Sequence, residues 1–177
     1  MPIGRLRLLV MAGAAACALA SAPAAADEVA VAVASNFAGA AADLAARFEA
    51  ATGHQVALSP GSTGRHSSQI AAGARFAVFL AADAARPARL EAEGRAVAGS
   101  RFTYAVGQLV LWSPDAALVD TAGAVLAGRA FAHLAIANPD LAPYGQAARE
   151  ALTALGRWDA LQPRIVRGEN IGQAFQF

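Results

Sequence analysis

The sequence contains no lysine; all 14 of its basic residues are arginine. Residues 27–177 also lack cysteine, because the single Cys17 lies near the N-terminus. Disulfides and thiolate metal sites are therefore excluded from that stretch. Phosphate loops of the GxxxxGK[ST] kind need a lysine and are excluded too. The three histidines (His54, His66 and His133) are scattered and show no metal-ligand spacing, so no bare metal cation and no cofactor is expected. Residues 27–177 carry 12 arginines against 13 acids, a formal charge of −1. No basic stripe is left to hold nucleic acid. No GxSxG elbow is present. His66 follows Ser62 by four residues, but at one helix start it is expected to point away from the serine. With no complete nucleophile constellation, the chain reads as a non-enzyme rather than a hydrolase.

What is present begins with an export signal. Arg5 and Arg7 form a positive start, residues 8–20 a short apolar stretch, and Ala24-Ala25-Ala26 a small-residue cleavage site. The expectation is a signal peptide over residues 1–26, cleaved after Ala26, and a periplasmic mature protein. Cys17 lies within the apolar stretch with no leucine three residues earlier, which argues against a lipid anchor.

From there the pattern alternates. Residues 29–34 read as a buried strand. Phe37, Ala41, Leu44, Phe48 and Ala51 then recur at helical spacing, and Gly53 stops the helix. Residues 55–58 form a second strand, Ser59-Pro60-Gly61-Ser62-Thr63-Gly64 a turn cluster, and a short helix through Gln69 and Ile70 ends at Gly73. A third strand spans 76–82 and a helix 84–93. Residues 103–112 (TYAVGQLVLW) read as a long strand with Gly107 in its middle, able to pass from one sheet to another. A helical turn at 122–127 and a strand at 132–137 follow. Pro143-Tyr144-Gly145 opens a helix with an apolar face of Ala148, Leu152 and Leu155; residues 164–166 form a strand; and Gly168-Glu169-Asn170 leads into a last helix. The fold class is α/β, with mainly parallel sheets flanked by helices. The domain reading is lobe 1 over 27–104 and lobe 2 over 105–177.

Ligands in such sheets bind beyond the carboxyl ends of the strands. The strand-to-helix turns there are Ser35-Asn36, Ser62-Thr63, Pro143-Tyr144-Gly145 and Asn170-Ile171. Each offers unpaired amides at a helix N-terminus, and serine or threonine adds rotatable hydroxyl donors. None of these turns carries a charged side chain. An ionised oxyanion can be held by neutral donors alone, at about 1.5–3 kcal/mol for each hydrogen bond. Arg65 adds long-range attraction without being a ligand. Taken singly, each turn is equally an ordinary helix cap.

The stretches VAVASNF, GSTGRHSSQIAAGARFAVFLAAD, FTYAVGQLVLWS, IANPDLAPYGQAAREAL and GRWDALQPRIVRGENIGQAFQF together resemble the periplasmic molybdate-binding proteins of ABC transporters. The resemblance implies a two-lobed, type II periplasmic binding fold. It implies capture of a molybdate or tungstate dianion between the lobes, as an oxyanion and not a bare cation, for a permease in the inner membrane. A monomer is expected. The site residues it implies are Ser35 and Asn36, a hydroxyl from Ser62 or Thr63, and backbone amides at Tyr144 and Ile171. Counting back from Gln69 favours Thr63 over Ser62. The alternatives are another tetrahedral anion, sulfate or phosphate, or an anion sensor without a transport role.

The chain departs from the family pattern at Arg75, Ala77 and Ala81, where a proline, an acid and a serine are usual. Family members also continue past the position of Phe177, crossing back to lobe 1. The expectation is a C-terminally truncated chain whose lobe 2 is incomplete and whose return segment is absent.

Overall fold

The computed structural model describes residues 27–128 and 130–177. The expected signal peptide lies outside them. β1 (Glu28–Ala34) is the centre of a three-stranded parallel sheet in the order β2-β1-β3. A strand flanked on both sides and covered on both faces must be apolar throughout. Val31, Ala32, Val33 and Ala34 are accordingly buried. α1 (Ala38–Thr52) follows a single 3-10 turn at Ser35–Phe37 and ends on Gly53, whose left-handed φ of 77° lets its N–H reach the Glu49 carbonyl. Glu49 Oε1 also accepts the Val56 N–H at 2.7 Å, tying α1 to β2.

β2 (Gln55–Gly61) is longer than the sequence pattern suggests. Ser59, Pro60 and Gly61, expected to be a turn, continue the strand and pair with Ala32, Val33 and Ala34. Proline is tolerated because, among the described residues, β2 is an edge strand of its sheet. α2 (Thr63–Ala71) begins only two residues after the strand ends. β3 (Val78–Leu80) is shorter than expected, because it pairs only with Val31, Ala32 and Val33. α3 (Ala85–Ala92) packs against α2 through Leu90, which is 1% exposed.

The second sheet contains β4 (Leu134–Ala137) and β5 (Ile165–Gly168), again parallel and in register from Leu134↔Ile165 to Ala137↔Gly168. Between them run α4 (Pro143–Ala154) and α5 (Trp158–Leu161), and α6 (Ile171–Gln176) follows β5. Pro143 at the first helical position has no N–H to waste there. Gly145 lets α4 lie directly on the end of β4, since a Cβ would stand 2.2 Å from the Ala137 carbonyl oxygen. α5 escaped the sequence reading because four residues are too few to show a helical period.

Two expectations need correction. Residues 103–112 form no strand; among the described residues no strand lies beside them, and a ladder needs a partner. Phe102, Val106 and Val110 are largely exposed as a result. The segment is instead pinned by aromatic contacts. The Tyr104 ring lies 4.8 Å from Phe37 and its hydroxyl donates to the Ala81 carbonyl, while Trp112 sits 4.7 Å from Phe175. The apolar face expected on α1 is also only partly covered: Ala41 is buried, but Leu44 is 54% exposed and Phe48 42%.

These differences give a direct comparison. Leu90→Ala should lower stability by about 2–5 kcal/mol, the usual cost of emptying a packed site, whereas Leu44→Ala should stay within about 0.5 kcal/mol. Urea melts of the two variants check this. A second test is the alkaline limb. Burial first, and the nearby Tyr144 second, push the Tyr104 phenol above its ordinary value of 10.0. The unfolded chain therefore releases this proton first, so stability should fall as pH rises above about 10. No lysine or cysteine in residues 27–177 obscures that window. Tyr104→Phe should flatten the slope, as read from melting temperature against pH.

Candidate functional site

The carboxyl ends of both parallel sheets face one small cavity. Its lining comprises Ala34, Ser35 and Asn36 after β1, Gly61, Ser62 and Thr63 after β2, and Ala82 after β3. From the second half of the chain come Ala142, Pro143 and Tyr144 before and within α4, and Asn170 and Ile171 after β5. All six residues singled out from the sequence (Ser35, Asn36, Ser62, Thr63, Tyr144 and Ile171) lie on this wall. The turns enclose a cavity of about 190 Å³ of empty space, part of it open to solvent.

Backbone contacts hold the two sets of turns together. The Gly64 N–H donates to the Leu141 carbonyl at 2.8 Å, and a Cβ on Gly64 would stand 2.6 Å from that oxygen. The Gly172 N–H donates to Ser35 Oγ at 3.2 Å. Outside the cavity, Arg65 pairs with Glu169 at 2.8 Å, and Arg86 donates to the Asp140 carbonyl. Arg65 is thus engaged by an acid at the rim and is absent from the cavity wall.

The three hydroxyls share a hydrogen-bond arrangement. Ser35 Oγ accepts from Gly172 N–H, Ser62 Oγ from Arg65 N–H at 3.4 Å, and Thr63 Oγ1 from Ala82 N–H at 3.0 Å. A hydroxyl has one proton to donate as well as lone pairs to receive. Each oxygen here receives a backbone amide, and among the described residues none of the three donates to another group, so its own proton is free. Ser62 and Thr63 are 2% and 1% exposed, and both face the cavity. Helix geometry adds amides. The first N–H groups of a helix have no partner within it. At these turns Gly64, Arg65, Gly145 and Gly172 are bonded elsewhere. Among the described residues, the N–H groups of Thr63, Tyr144 and Ile171 have no protein acceptor. Asn170 caps α6 by accepting the Gln173 N–H.

Among the described residues, no acid, arginine or histidine lines the cavity. Among the described residues no group of three or more histidine, cysteine, aspartate or glutamate side chains comes together as a metal site. His66 is buried behind the wall, its Nδ1 3.1 Å from Gln69 Oε1 and its ring edge-on to Phe76; its backbone N–H donates to the Ser62 carbonyl at 3.1 Å, but among the described residues its ring makes no hydrogen bond to the Ser62 hydroxyl. The wall is therefore a concentration of neutral donors with nothing poised to remove a proton.

Sequence reasoning missed Ala82. It carries no hydroxyl, yet the rule that found the other turns, the carboxyl end of a parallel strand, also applies to β3. Arg75, Ala77 and Ala81, the departures from the family pattern, are absent from the wall; Ala77 donates its N–H to Ala30 and Ala81 accepts the Tyr104 hydroxyl.

Comparison with known proteins agrees with this architecture. The chain is 53% identical over 175 residues to the molybdate-binding protein ModA of Azotobacter vinelandii, covering 99% of this chain and 68% of that protein. It is 51% identical over 152 residues to ModA of Rhodobacter capsulatus, covering 86% of this chain and 60% of the relative. Among solved structures, the Azotobacter vinelandii periplasmic molybdate-binding protein superposes with a TM-score of 0.81 at 48% identity, over 84% of this chain and 65% of that one. The chain thus spans about two thirds of the length of these proteins, and its fold is that of the periplasmic binding proteins. The profile of the bacterial extracellular solute-binding proteins matches residues 29–177, and this chain belongs to that family.

Proposed function

We propose that the chain captures molybdate or tungstate outside the cytoplasm and presents it to the permease of an ABC transporter. The observation that carries this reading is the trio of hydroxyls at Ser35, Ser62 and Thr63, each receiving a backbone amide and so left with a free proton at the cavity wall. With the unpartnered amides of Thr63, Tyr144 and Ile171, and that of Asn36 which the family resemblance implies, they form a shell of neutral donors. Such a shell suits a fully ionised tetrahedral oxyanion, since each bond to a charged acceptor contributes about 1.5–3 kcal/mol without the desolvation of a buried cation. The names of the relatives at 53% and 51% identity support the choice of molybdate.

The remaining parts follow from this role. Residues 27–104 and 105–177 act as two lobes that close on the ion, as a monomer. Residues 1–26 direct export and are removed after Ala26. Sulfate is the nearest competitor. Phosphate keeps a proton near neutral pH and needs an acceptor for it, and the wall holds no acid. An enzyme role has no support in the family, whose description is of solute binding.

Ser35→Ala tests the assignment. It removes one donor to a charged ligand and should weaken molybdate binding by about 1.5–3 kcal/mol. If affinity instead stays at the parent value and only melting falls, Ser35 is neither a ligand nor a brace that the site needs, and the residue leaves the site. Calorimetric titration and thermal melting on the same sample separate the two.

A further inference from the structure

Gly107 sits in the middle of the segment that crosses from the first sheet to the second, and its glycine identity needs a cause. Backbone strain is not the cause, because Gly107 is absent from the glycines with positive φ. The cause is crowding. A Cβ at position 107 would stand 2.2 Å from the Tyr144 hydroxyl oxygen and 3.2 Å from its Cζ. The phenol of Tyr144 therefore rests on a bare Cα.

Neither side of this contact can withdraw easily. Three residues before Gly107, Tyr104 is held by the Ala81 carbonyl and by the Phe37 ring; five residues after it, Trp112 is held against Phe175. On the other side, Tyr144 occupies the second position of α4, and α4 is seated on β4 through the close approach of Gly145 to Ala137. Tyr144 is at the same time part of the cavity wall. A side chain at position 107 would have to push the ring, and the ring is attached to the turn whose amide faces the cavity.

We propose that Gly107 is a positioning residue for the oxyanion site, seating the Tyr144 phenol so that the first turn of α4 keeps its amide aimed at the ion. This rests on the oxyanion reading of the cavity. Gly107 itself does not touch the ligand; it acts through Tyr144.

The test is a double-mutant cycle read by molybdate titration, with a second readout that needs no ligand. Gly107→Ala in the parent chain should weaken molybdate binding at least about tenfold, the scale expected for overpacking a fitted site. In a Tyr144→Phe background the 2.2 Å contact is gone and the contacts to Cζ at 3.2 Å and Cε2 at 3.6 Å remain. There the same change should cost about twofold or less, within the range of a tolerated packing change. The chain has two tyrosines, so labelling with ¹⁵N-tyrosine gives two amide signals. Gly107→Ala should move the Tyr144 signal in the absence of any anion. Equal losses in both backgrounds, or no loss in either, overturn the proposal, as does an unmoved Tyr144 signal. A parent chain that fails to bind molybdate overturns the oxyanion reading and the binding role built on it. The ligand-free tyrosine signal still reports separately on the seating of Tyr144.

Discussion

Ser35 Oγ accepting the amide of Gly172 is the contact on which the site depends. It joins the turn after β1 to the turn after β5, residues 137 positions apart in the chain. Together with the Gly64 bond to Leu141, it brings the carboxyl ends of two separate parallel sheets face to face. Both contacts require small residues. Gly64 has no room for a Cβ against the Leu141 oxygen, and a Cβ on Gly172 would meet that of Ser35 at 3.3 Å. Without this close approach, the helix starts would each face solvent and behave as ordinary capped ends. With it, their free amides and hydroxyl protons share one small volume.

The neutrality of that volume decides what it can hold. A buried cation would compensate an anion strongly but would cost several kcal/mol to desolvate. A set of neutral donors without a carboxylate discriminates differently. It rewards an acceptor-only ligand and offers the proton of a hydrogen-phosphate no charged acceptor. The charges near the site, Arg65 and Glu169, are paired with each other at the rim, where they draw the two halves together rather than enter the cavity. The gross gain from several bonds to an ion is large, but ordering and desolvation consume much of it, so affinity depends on how well the turns are held before the ion arrives.

Much of this was legible in the sequence because the signals are local. A serine, threonine or asparagine between a β-branched run and a helical period marks a turn whether or not the fold is known, and parallel topology puts those turns at one end. The four turns found in this way line the cavity, whereas the choice of Tyr144 and Ile171 within them came from the family resemblance. What was not legible depends on neighbours. Residues 103–112 have the composition of a strand but no strand beside them among the described residues, so their apolar side chains remain exposed and only Tyr104 and Trp112 find partners. Leu44 and Phe48 follow a helical period yet stay partly exposed for a similar reason: periodicity names a face, not what covers it. Pro60 reads as a chain breaker, but at an edge position it costs β2 nothing.

The central claim is that a neutral wall with no carboxylate selects a fully ionised tetrahedral anion. Competition calorimetry of the purified protein with molybdate, tungstate, sulfate and phosphate at neutral pH tests it most directly. The account predicts saturable binding of molybdate or tungstate that excess phosphate fails to displace. Preferential binding of phosphate would contradict it, because that ligand's proton calls for a carboxylate and none lines the wall among the described residues.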